Sequence, residues 1–109
     1  MDSMLEQVTQ NISTLPKADQ ATKEELTKLV AQLTDLLKQA PTEKVDEAGQ
    51  IADRVDMLVK EAGKDKPDQE KVEFSLESLK KAAENIAGVL PTVLPIAMQI
   101  VEHIRKLIP

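Results

Sequence analysis

The chain is expected to fold as an all-α, up-down bundle of four to five helices, the last of them the most apolar. Three features of its 109 residues point there. Apolar residues recur at three- and four-residue spacing in successive blocks, the period of one helix face. Prolines and glycines fall between those blocks, at Pro16, Pro41, Gly63, Pro67, Gly88 and Pro91. Glycine is scarce elsewhere, and Phe74 is the lone aromatic in a composition rich in Leu, Val, Ala, Glu and Lys. The expected helices cover about residues 3–15, 20–40, 42–62, 67–88 and 93–108, within one domain spanning 1–109.

In the first helix Met4, Leu5, Val8, Ile12 and Leu15 share a face, Ser3 with Glu6 reads as a capping box, and Pro16 is the stop. The second carries a stripe of Leu26, Leu29, Val30, Leu33, Leu36, Leu37 and Ala40. Either Asp19 or Thr22 suits its cap, and Glu24 with Lys28 suits an i,i+4 ion pair. Thr42 is placed to cap the third, whose stripe uses the smaller Val45, Ala48, Ala52, Val55, Val59 and Ala62, widened by Ile51 and Leu58. Gly49 lies mid-helix beside Ala48 and Ala52, where a close helix crossing would account for it; Gly63 suits a left-handed residue after the helix end.

Pro67 is placed to open the fourth helix, with Asp68, Glu70 and Glu73 at its positive dipole end. Its stripe is Val72, Leu76, Leu79, Ala83 and Ile86, and Glu77 with Lys81 forms a second well-ordered charge pair. Phe74 lies off the stripe. Since large apolar residues are mostly buried, it is expected to cover a loop or mark an asymmetry of the bundle, with an exposed contact as the alternative. Gly88 and Pro91 end this helix, and Thr92 caps the fifth, in which Pro95 at the third position lacks only an amide that has no partner within the helix. Connections this short predict antiparallel packing of sequential neighbours.

From Asn85 to Val101, NIAGVLPTVLPIAMQIV, no residue is charged. Three uses suit such a stretch. The first is burial, with the fifth helix central to the bundle. The second is a contact surface for a protein partner or another copy of the chain, with Val93, Leu94, Ile96, Met98, Ile100, Ile104 and Ile108 as the candidate residues. The third is exposure to a membrane on activation; the run is short for a span, contains Pro91 and Pro95, and lacks an aromatic belt.

Little points to catalysis. A net charge of −5 opposes a nucleic-acid surface, and a single aromatic leaves no stacking platform. Cysteine is absent, so thiol chemistry, disulfides and thiolate zinc sites are excluded. His103 is the only histidine, with no Ser or Thr within ten residues, and no Glu-x-x-His pair exists for a di-metal centre. Adjacent acids such as Glu24-Glu25 and Asp46-Glu47 diverge on a helix, and Gly49, Gly63 and Gly88 are too scattered for a phosphate loop. The expectation is a protein with no enzymatic activity, cofactor or metal. MDSMLEQVTQ is unlike a secretory leader, and a cytoplasmic location is expected. The end at Pro109 suits a domain excised from a longer chain.

At PKADQATKEELTKLVAQL and LKKAAENIAGVLPTVLPIAMQIV the chain resembles helical modules of cyanobacterial and other bacterial multidomain proteins. Those modules accompany signalling NTPases, caspase-like proteases or other effectors of conflict systems. The resemblance implies an adaptor or effector-associated role, a helical domain that brings proteins together, and it carries no site residue with it.

Overall fold

Each helix turns its apolar stripe toward a shared core. The computed structural model describes residues 2–107, with side chains from residue 6 onward. It contains α1 (Asp2–Ser13), α2 (Gln20–Leu37), α3 (Val45–Ala62), α4 (Gln69–Ile86) and α5 (Val93–Arg105), with a 3-10 turn at Thr42–Lys44 leading into α3. The expected stripe positions Met4, Leu5 and Ile108, and the Ser3 side chain of the expected capping box, lie outside what is described. The backbone of Ser3 is already inside α1, rather than ahead of it as a capping residue would be.

The chain's own polar groups set the helix ends. At α2 the cap is Asp19, whose Oδ1 accepts the Thr22 amide at 2.8 Å. The Thr22 hydroxyl and then its amide hold the Asp19 carboxyl below its usual range. The C-terminal turn of α2 tightens, with Gln39 N–H donating to Leu36 O and Ala40 N–H to Leu37 O, so the helix stops three residues short of the expected end. At α4 the cap is Asp68, accepting from the amides of Glu70 and Lys71 at 3.0 and 3.4 Å, which leaves Pro67 outside the helix instead of opening it.

Other expected caps do not form. Neither Lys44 before α3 nor Thr92 before α5 makes a side-chain cap, and Thr42 belongs to the 3-10 turn. Gly63 is right-handed, at φ −79°, because its amide bonds back to Val59 and Lys60 carbonyls in a continued turn. Gly49 marks no close crossing: a Cβ there would meet nothing within 4 Å. Among the described residues the i,i+4 ion pair is Asp56–Lys60 at 3.0 Å; Glu24 meets Gln20 instead of Lys28, and Glu77 and Lys81 stay apart.

The helices form a ring in the order α1, α3, α4, α5, α2, with α3 on α4 as the most extensive seam and α3 touching α5 across the centre. Consecutive helices reverse direction, so α1, α3 and α5 run one way and α2 and α4 the other. A five-membered ring cannot alternate throughout, and its one parallel seam is α1 on α3. There Asn11 and Thr14 line the same groove as Val59, Lys60, Gly63 and Lys64, so the two C-terminal ends lie together. The consequence is a correction: α2 and α3 are sequential yet do not pack as a pair, because α1 lies between them.

Inside the ring Ile12, Leu26, Leu33, Ile51, Leu58, Leu79, Ile86, Ile100 and Ile104 are completely enclosed. Burying one such side chain stabilises by about 1.5–3 kcal/mol. α5 is a wall of this ring like the other helices, not its axis. It buries Val93, Ile96, Ala97, Ile100, Val101 and Ile104 while Pro95, Gln99, Glu102 and Arg105 face solvent.

Candidate functional site

The residues singled out from sequence go mostly to the core. Val93, Ile100 and Ile104 are fully buried and Ile96 is 8% exposed. They therefore offer no surface in this fold, because α2 and α4 already cover them. Leu94 and Met98 are half-buried at the edge of α5, and Ile108 lies outside the described residues. Burial is not the whole account of the uncharged run, however. Asn85, Gly88, Val89, Pro91, Thr92, Pro95 and Gln99 are exposed and simply carry small, imino or amide side chains. No helix among the described residues is long and apolar enough to cross a membrane, and presenting α5 to lipid would withdraw its buried side chains from the core.

Chemistry-bearing groups do not converge. His103 is half-buried on α5 and makes no hydrogen bond or ion pair among the described residues. The Thr27 and Thr34 hydroxyls in the grooves between α1 and α2 donate to their own helix, at Lys23 O and Val30 O, both 2.8 Å. Two carboxylate oxygens, Glu47 Oε2 and Asp56 Oδ1, are buried without a partner. Nine residues apart on α3, they are about 180° apart around the helix and face different neighbours. No group of His, Asp and Glu suited to a metal ion exists among the described residues.

The α3/α4 seam carries a different kind of feature. Val72 and Leu76 point inward from α4, and Phe74, two residues from each, lies about 200° around the helix. Phe74 is 55% exposed. It neither covers a loop nor fills an asymmetry of the core, as its size suggested; it stands on the outer surface.

Antiparallel packing of α3 on α4 brings Arg54 beside it. The guanidinium carbon lies 5.5 Å from the ring centroid, a cation–π distance. Arg54 Nη1 also donates to Asp53 Oδ2 at 3.2 Å and to Met57 Sδ at 3.3 Å. The guanidinium is thus held between ring, thioether and carboxylate. Beyond Phe74, a shallow depression on α4 is lined by Glu77, Ser78, Lys80, Lys81 and Glu84, with the ring at its edge. The sequence signal for this site was the ring's off-stripe position; the general tendency of aromatics to be buried argued against it. Val45 and Val89, the other large apolar residues left exposed, lie apart from it at the end of the bundle where α3 begins and α4 ends.

No family model, curated protein or solved structure matches the chain.

Proposed function

We propose that this chain is a non-catalytic helical interaction domain that engages a protein partner through the α3/α4 face centred on Phe74. The observation that carries this reading is the exposure of the lone aromatic, 55%, on a bundle whose core closes without it. An aromatic, an arginine and a methionine side by side are the residue types enriched at protein interfaces. The Arg54 contacts to Phe74, Met57 and Asp53 hold these groups in place before binding, which lowers the ordering cost of association. An adaptor or effector-associated role, as the sequence resemblance implies, is consistent with such a face.

Photo-crosslinking tests it. A photoreactive phenylalanine analogue at position 74, in cells that produce the chain, should form one dominant protein adduct, while the same group at exposed Gln99 should form none. Equal labelling at both positions, or no adduct at 74, overturns the proposal.

A further inference from the structure

We infer that the partner seated on this face is a second copy of the chain, with α4 lying antiparallel on α4 across a two-fold axis. The inference rests on reading the Phe74 face as an interface and adds the identity of its occupant. Its first support is charge. Exposed Glu70, Glu73 and Glu77 lie in the first half of α4, and exposed Lys80 and Lys81 in the second. Among the described residues none of Glu73, Glu77, Lys80 and Lys81 is ion-paired, which leaves these charges to meet a partner. Antiparallel alignment sets the acidic half of each copy against the basic half of the other; parallel alignment opposes like charges. Lys71 and Glu84 break the pattern, and they lie about 140° apart around α4. With the axis between Glu77 and Ser78 they fall on opposite flanks of the contact and leave its charge balance to Glu70, Glu73, Glu77, Lys80 and Lys81.

The second support is shape. That same axis sets Phe74 of one copy opposite Lys81 of the other, at the edge of the depression lined by Glu77, Ser78, Lys80, Lys81 and Glu84. Knob and hole occupy one helix, about 10 Å apart along it, so a single two-fold operation seats both rings at once. An interface that uses the same patch twice in this way is self-complementary. α4 is about 27 Å long, so the contact is small and pairing should be weak, at the low end of specific association.

Sedimentation velocity from micromolar to millimolar concentration tests this. The wild-type chain should show a reversible monomer–dimer equilibrium, and Phe74→Ala should weaken it by about tenfold or more. Lys80→Glu/Lys81→Glu makes this face of α4 predominantly acidic, and Glu73→Lys/Glu77→Lys makes it predominantly basic. Each variant alone should be monomeric, and an equimolar mixture should dimerise. All these positions are exposed, so each variant should give a wild-type helical circular-dichroism spectrum. A wild-type chain monomeric throughout, variants that dimerise alone, or a mixture that stays monomeric each overturn the inference. If the wild type is monomeric while position 74 crosslinks to a different protein, the second copy is overturned and the interaction face stands. If position 74 also yields no adduct, both fall.

Discussion

The carboxylate of Glu61, in the last turn of α3, accepts the backbone amide of Asp68 at 3.0 Å, across the polar connection that leads into α4. Lys64 Nζ closes on the other oxygen at 3.1 Å, and Glu61 is only 6% exposed. One carboxylate thus ties the end of α3 to the capping residue of α4, at the most extensive helix seam.

This contact makes stability pH-dependent. The Asp68 amide is the main cause holding the Glu61 carboxyl below its ordinary value of 4.5; burial opposes it and Lys64 assists. The unfolded chain therefore binds this proton more tightly than the folded one. The stabilisation is complete above the unfolded value and is lost as pH falls through the folded one. Glu61→Gln should cost about 1–2 kcal/mol near neutral pH. Urea titrations near pH 7 and near pH 3 should show the difference from wild type shrinking at the lower pH. An unchanged difference would assign the effect to packing instead of charge.

Gly49 offers the opposite sign. It lies within α3, its backbone is not left-handed, and a Cβ there meets nothing within 4 Å. Gly49→Ala should therefore stabilise the fold by about 0.5–1 kcal/mol, through the lower conformational entropy of the unfolded chain. A thermal melt checks it; a lowered midpoint would mean that a neighbour needs the space.

These two positions show what the sequence reveals and what it conceals. Helical periodicity identified most of the inward residues, among them Leu33, Val55, Leu79 and Ile100, because burial on a helix repeats with its turn. It also put Val45 in the α3 stripe, where the start of the helix leaves it 48% exposed, and passed over the buried Glu61 and Ser75. Periodicity says which face is inward but not which helix it meets. Nothing local told that α1 separates α2 from α3, or that Gly49 faces no crossing helix. The tie from Glu61 to Asp68 spans seven residues through a loop, beyond any helix-spacing rule. Phe74 was legible as an outlier, but its off-stripe angle was a better guide than its hydrophobicity.

Leu33 on α2 and Ile100 on α5 are both fully enclosed, and their helices pack against each other. A carboxylate at either site would be shut off from solvent within the apolar core, so it must either open the ring or stay protonated. Leu33→Asp and Ile100→Asp should each abolish cooperative thermal unfolding. If Ile100→Asp instead melts like wild type and loses only self-association, α5 is a contact surface and the assignment of its apolar face to the core is wrong.

Phe74 and Leu79 separate folding from recognition on a single helix. Leu79 is fully enclosed, so Leu79→Ala removes buried methyl groups and leaves a cavity that the ring of helices only partly closes. The expected cost is about 2–5 kcal/mol. Phe74, more than half exposed, loses with its ring little beyond the Arg54 cation–π contact, about 0.5–1 kcal/mol at an exposed site. Denaturant titrations of the two alanine variants should therefore differ by more than 1 kcal/mol. The released Arg54 keeps Asp53 and Met57 as partners, so no buried charge is left stranded to enlarge the effect. If Phe74→Ala proves as costly as Leu79→Ala, the ring is structural and the interaction face loses its main support. If it is nearly neutral in stability yet abolishes association, an exposed aromatic held in place by an arginine is acting in recognition, and the α3/α4 seam has two faces with separate tasks.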